Sequence, residues 1–213
     1  MLAGLATIVF ACNSNPDNGA ADTDSTNHIQ HGPARDTSGQ NQANPVMETM
    51  SRMMLEMHHT KATGNNDVDF AAMMMAHHKG AVEMSRVEVD KGTDAGLKAF
   101  AQKVIDDQNK EIAFMQAFLS KAPGAASSSS ADFQKAMNAS MMAMMNGNAP
   151  VYNNIDKDFA AQMIPHHQSA VDMAKAYLEY GQEENLRTLC ANIVDSQAKE
   201  ISWLKEWLSR NKT

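Results

Sequence analysis

The stretch MMMAHHKGAVEM, residues 73–84, returns as QMIPHHQSAVDM, residues 162–173. The two halves of the chain align without a gap at an offset of 89. Asp69 falls on Asp158, Phe70 on Phe159, His77 on His166, Met84 on Met173, Gln108 on Gln197 and Glu111 on Glu200, with 19 identities in the 53 positions from 69 to 121. Such a repeat constrains the fold before any local rule is applied, because equivalent segments must form equivalent elements and bury their apolar faces against one another.

Each half predicts two helices. Phe70, Met74, His77, Ala81 and Met84 recur at three- and four-residue steps, as do Phe159, Met163, His166, Ala170 and Met173, which is the spacing of one helix face. Asp69 and Asp158 stand where N-caps belong, and Gly92 and Gly181 where C-caps belong. A second stripe follows in each half, through Ile105, Gln108, Ile112 and Met115, then through Val194, Gln197, Ile201 and Leu204. No strand signal competes. The expected fold is all-α: a four-helix bundle built from two repeated helical hairpins, with additional Met-rich helical segments before each hairpin.

The domain plan read from composition has three parts. Residues 1–12 (MLAGLATIVFAC) resemble a truncated lipoprotein signal, too short to span a bilayer as a helix, with Cys12 as the expected lipidated residue. Residues 13–46, rich in Asn, Asp, Gly, Ser and Thr, are expected to be a disordered tether that carries His28 and His31 in solvent. Residues 47–213 are the expected bundle domain, with repeats over about 47–121 and 133–210 separated by a small-residue linker from 122 to 132. With Cys12 acylated, Cys190 is left without a disulfide partner, so core packing must stabilise the domain. The formal net charge of -7 argues against a nucleic-acid partner.

The chemistry lies in the methionines and histidines. There are 18 methionines, and six of the 8 histidines form the adjacent pairs His58-His59, His77-His78 and His166-His167. Thioether and imidazole together suit a soft ion such as Cu(I) or Ag(I), whereas Ca²⁺ and Mg²⁺ require oxygens. On a helix, His77 is expected to point inward and His78 to the side, with Met74 one turn before. The same holds for His166, His167 and Met163. Additional candidate ligands are Met50, Met53, Met54, Met57, His58 and His59 before the first hairpin, and Met141, Met142, Met144 and Met145 before the second. Gln108 and Gln197 fall in apolar stripes where an amide needs a partner, and Glu111 and Glu200 follow one turn later. These four either orient ligating histidines or make ordinary interhelical bonds.

At DFAAMMMAHHKGAVEM and DFAAQMIPHHQSAVDM, each followed by Q-x-x-E-I in QNKEI and QAKEI, the chain resembles domain-of-unknown-function family 305. This is the ferritin-like family that includes the CopM-type copper-binding proteins. The resemblance covers about residues 69–210. It implies a four-helix bundle outside the cytoplasm that binds copper, and silver in its place, through Met74, His77, His78 and Met84 together with Met163, His166, His167 and Met173. The chain departs from the pattern at Pro165, which stands opposite Ala76, and in its extra methionine segments.

The leading expectation is therefore a non-enzymatic, extracytoplasmic lipoprotein of the periplasm or cell envelope, serving copper sequestration, transport or resistance. Its partners would be metal ions and a copper-export or copper-delivery protein, with the membrane reached only through a lipid anchor. Two rivals stand beside it. One is a di-metal carboxylate protein of the ferritin type, which wants Glu-x-x-His motifs that the His helices lack. The other is a metal-free structural or interaction bundle.

Overall fold

The computed structural model describes residues 44–121, 124, 126–146 and 149–211. Cys12 and almost all of the expected tether, including His28 and His31, lie outside the described residues. The described chain forms six helices and no strand: α1 (Pro45–His59), α2 (Asn66–Lys91), α3 (Ala95–Leu119), α4 (Ser130–Asn146), α5 (Ile155–Tyr180) and α6 (Glu184–Arg210). The all-α expectation holds. The hairpins are α2–α3 and α5–α6, joined through a contact between α2 and α5, while the Met-rich α1 packs mainly on α2 and the Met-rich α4 on α5.

Several boundaries differ from the sequence reading. The tether was expected to run to residue 46, yet Asn44 caps α1 by accepting from the amides of Val46 and Met47, Pro45 takes the first turn, and Val46 is fully buried. Ser130 to Asp132, read as linker, belong to α4. The cap assignment also moves: Asn65 and Asn154 are the N-caps of α2 and α5.

Asp69 and Asp158 instead lie one turn inside and reach back to the preceding loops. Asp69 accepts from the Thr63 amide (2.7 Å), the Gly64 amide (3.1 Å) and Gln134 of α4 (2.9 Å). Asp158 accepts from the Tyr152 amide (2.6 Å), the Asn154 amide (2.9 Å) and Asn44 at the head of α1 (2.7 Å). Each repeat thus fastens the Met-rich helix of the other, at positions where the helix N-terminus also favours negative charge.

The glycine C-caps hold, and the reason is space rather than a left-handed turn. Gly92 and Gly181 are both extended, and a Cβ at either would collide with a side chain one turn back, Glu88 in the first repeat and Tyr177 in the second. Those two residues are repeat equivalents that do the same work by different chemistry. Tyr177 donates its hydroxyl to Asp67 (2.6 Å), which also accepts from the Gln182 amide (2.9 Å). Asp156, the equivalent of Asp67, accepts from the amides of Thr93 (2.8 Å) and Asp94 (2.9 Å), and the Glu88 carboxyl, with no other partner, lies beside it. Burial tends to raise the Asp156 carboxyl, but these backbone donors prevail and hold it below its ordinary range. Glu88, fully buried, is pushed up to about 8, by burial first and by Asp156 next, so it is the protonated partner and stands in for the phenol.

The stability consequence has a definite sign. Glu88 takes up a proton in the folded chain at a pH where the unfolded chain, near 4.5, has released it, so its contribution is present at low pH and is lost as pH rises through about 8. Between pH 6 and 9 this loss amounts to roughly 3 kcal/mol by linkage. Glu88→Gln keeps a donor toward Asp156 without the titration. Thermal unfolding at pH 6 and pH 9 is expected to show a smaller alkaline loss in this variant than in the wild-type chain.

Candidate metal centre

The buried core falls into two apolar parts. One holds Phe70, Met74, Met115, Met173, Tyr177 and Cys190, with Met53, Met57, Met137 and Met144 brought in by α1 and α4. The other holds Val46, Ala81, Met84, Leu97, Phe159, Met163 and Leu204. Along the helices, the positions between these two parts are taken by His77, His78, Gln108, His166, His167 and Gln197, all buried, and by Glu111 and Glu200 beside them. A polar layer built from four pairs of repeat equivalents therefore crosses the middle of the bundle.

His77 and His166 face each other where α2 meets α5, with ring centroids 3.8 Å apart and both side chains fully buried. His166 Nε2 lies 3.2 Å from the His77 carbonyl oxygen, to which it donates, and 3.1 Å from Met53 Sδ of α1. That assignment leaves Nδ1 of His166 as the bare nitrogen, and Nδ1 has no partner. Neither ring nitrogen of His77 has a partner. Burial first, then the neighbouring imidazoles, hold both rings well below the ordinary 6.5, so both are neutral and keep their lone pairs at neutral pH.

His78 and His167 turn outward to the hairpin partners. His78 Nε2 donates to Glu111 Oε2 at 2.7 Å, and His167 Nε2 lies 3.1 Å from Glu200 Oε2. Burial alone would raise the Glu200 carboxyl, but the bonds from His167 and Lys103 outweigh it and hold it low. In His78 the nitrogen left over is Nδ1, buried and without a partner, whereas in His167 Nδ1 is unpartnered and Nε2, though close to Glu200, makes no hydrogen bond. Of the two roles open to Glu111 and Glu200, the structure places them where a carboxylate fixes the tautomer of a histidine. Gln108 and Gln197 are otherwise placed: both amide atoms of Gln108 and the Gln197 oxygen have no partner.

The ligand set read from the sequence does not converge on one point. Met74 and Met84 are ten residues apart, about 15 Å along a helix, and they belong to opposite apolar parts, as do Met173 and Met163. His77 and His78 diverge, with ring centroids 6.2 Å apart. Among the described residues, no three His, Cys, Asp or Glu side chains gather closely enough to hold an ion, so a multidentate site must recruit thioethers.

Of the additional candidates, Met53 brings its sulfur to the imidazole layer. Met57 and Met144 are buried in the apolar part that also holds Met53; Met50, Met54 and Met141 are half-buried against it. Met142 and Met145 are exposed, as are His58 and His59 in the last turn of α1. Sequence reasoning missed Gly80. Its bare backbone admits Met53, whose Cγ and Sδ occupy the space that a Cβ there would need. The signal lay in the repeat alignment, where Gly80 stands opposite Ser169.

The family model for the domain of unknown function DUF305 matches residues 18–119 and again 67–208. The chain belongs to this family. Among solved structures it is similar to CopM in a silver-bound form (31% identity, TM-score 0.53, covering 68% of this chain and 96% of that one). It is also similar to CopM in the Cu(I)-bound form (30% identity, TM-score 0.51, 68% and 96%). A DUF305 fragment from Deinococcus radiodurans (23% identity, TM-score 0.50, 68% and 96%) shares the fold. No curated protein matches the chain.

A pH dependence follows from the paired imidazoles. The unfolded chain protonates His77 and His166 near 6.5 while the folded chain does not, so acidification below that value draws the protein toward unfolding. Nitrogen NMR of the imidazoles is expected to show both rings neutral at pH 5.5. Denaturant midpoints of the ion-free protein are expected to fall between pH 7 and pH 5.

Proposed function

We propose that this chain binds Cu(I), with Ag(I) as a surrogate, through imidazole and thioether donors, and that it serves copper sequestration, transport or resistance without catalysing a reaction. One observation carries the reading: six ring nitrogens of four buried histidines form no hydrogen bond within the protein. An unpaired buried polar group costs on the order of 1–3 kcal/mol, so leaving six of them in a core is hard to reconcile with a purely structural layer. A neutral imidazole nitrogen is also what a metal ligand must be.

The donors closest together are His77, His166 and Met53, with His78 and His167 in the same layer and Met74, Met84, Met163 and Met173 flanking it. This set favours a soft monovalent ion. The relatives solved with silver and Cu(I) support the same chemistry. Location outside the cytoplasm, on a lipid anchor at Cys12, is part of the proposal; its support is the short apolar run ending in that cysteine and the polar stretch behind it. No helix among the described residues is long and apolar enough to cross a membrane. The di-metal carboxylate alternative is weakened because, among the described residues, no three His, Cys, Asp or Glu side chains gather closely enough to hold an ion.

Anaerobic titration against a competing chelator tests the reading, with the expected order Cu(I) and Ag(I) far above Zn(II) and Fe(II). Tighter Fe(II) binding would sink it. Replacing both inward rings, His77→Leu with His166→Leu, removes unpaired nitrogens from the core. The ion-free variant is therefore expected to be as stable as wild type or more so, while Cu(I) affinity falls at least tenfold. A large loss of ion-free stability would instead mark the rings as packing residues.

Met53→Leu separates thioether from volume. The swap conserves size and is expected to cost under about 1.5 kcal/mol in unfolding experiments. Cu(I) affinity should nonetheless drop severalfold, because leucine offers no lone pair.

A further inference from the structure

All four histidines of the layer are fully buried, so an ion must reach them from the surface, and a cleft lies beside the layer at α3 and α6. Helices α3 and α6 pack on α2 and α5, and between them lies a cleft of about 230 Å³ lined by Gln108, Glu111, Ser196, Gln197 and Glu200, among others. Three pairs in its wall, Asp107 with Ser196, Gln108 with Gln197 and Glu111 with Glu200, are repeat equivalents, so the pseudo-twofold axis passes through it. Its lining includes the two carboxylates that lie against His78 and His167. Its walls carry two amides that are only 3% and 2% exposed and have atoms without a protein partner.

We infer that this cleft is the port through which the ion enters and leaves, received first on the amide oxygens of Gln108 and Gln197 and the carboxylates of Glu111 and Glu200, then passed to the imidazoles. The inference rests on the soft-ion reading of the layer. Oxygen donors bind Cu(I) and Ag(I) weakly, which suits a transit station: the ion exchanges water for protein oxygens without being trapped before it reaches nitrogen and sulfur.

The rim is charged. Lys103 of α3 spans to Glu200 of α6 (3.1 Å) while also holding Asp107 (2.9 Å), and Lys110 holds Asp107 from the other side (2.9 Å). Lys103 is largely exposed, so its bridge is a weak surface pair that opens readily. Its charge still repels an approaching cation. Next to the cleft, Phe100 and Trp203 stack with ring centroids 4.6 Å apart and tie α3 to α6.

The test separates rate from affinity in the full chain. Anaerobic stopped-flow mixing follows Cu(I) uptake from, and release to, a chromogenic chelator. Ser196→Phe places a ring in the cleft, and Asn192→Phe does so from an exposed position that leaves the core untouched. Both variants are expected to slow uptake and release about tenfold while the dissociation constant stays within twofold. Lys103→Gln is expected to speed uptake severalfold. Unchanged rates in both phenylalanine variants would overturn the port and point to another route. So would a changed dissociation constant with unchanged uptake, which would make the cleft residues ligands or supports rather than a passage. If the wild-type chain takes no Cu(I) from the chelator, the soft-ion reading itself fails, a result distinguishable from failure of the port alone.

Discussion

The structure depends on placing imidazoles at the α2–α5 contact, in the middle of a bundle that is otherwise apolar. Paired rings 3.8 Å apart can share a core only if both are neutral, and burial together with their mutual repulsion enforces that state. The rest of the architecture accommodates this layer. Apolar side chains are divided into a part on each side of it. The outward rings are held by carboxylates from the hairpin partners, and the Met-rich helices lie across the opposite side of α2 and α5. The fold holds a costly interior in place by packing methionine, the most adaptable of apolar residues, around it.

The repeat made most of this legible in the sequence. Equivalent three- and four-residue stripes gave four helices and their pairing into hairpins, and the histidines fell on the faces where the structure has them. Asp69 and Asp158 were misread because a cap is inferred from residue type and nearness to a helix start, whereas these side chains satisfy loop amides that no local pattern reveals. Val46 was assigned to the tether because three ordered residues add little apolar signal to a polar run, yet its burial anchors α1. Convergence of ligands was the hardest thing to read. A motif lists residues on one face of a helix, and ten residues along that face is a distance no single ion can bridge.

The chemical division of labour within each His-His pair follows from the helix. Adjacent residues point about 100 degrees apart, so one ring must face the partner repeat while the other faces its own hairpin. The inward ring finds no protein donor or acceptor that could use all its nitrogens, and the outward ring finds a carboxylate one helix away. A duplicated pair therefore yields two nonequivalent kinds of imidazole. One kind is bare and suited to a ligand; the other lies against a glutamate, which in His78 fixes the tautomer and leaves Nδ1 as the free nitrogen.

The two repeats are not equal at the site. Gly80 admits Met53 to the layer on one side, and Met53 Sδ lies 3.1 Å from His166 Nε2, while neither ring nitrogen of His77 has a hydrogen-bond partner. Ser169, the equivalent of Gly80, carries the Cβ that Gly80 lacks. A pseudo-symmetric pair of rings thus receives a thioether from one side. The same breaking of symmetry recurs at the ends of the hairpins, where a carboxyl group replaces a phenol above otherwise equivalent aspartates. Duplication supplied two copies of every position, and divergence at single residues gave one copy a sulfur and one end a titratable proton. On the proposed metal-binding reading, an ion would therefore meet two unequal halves rather than two identical ones, with a thioether beside the His166 ring.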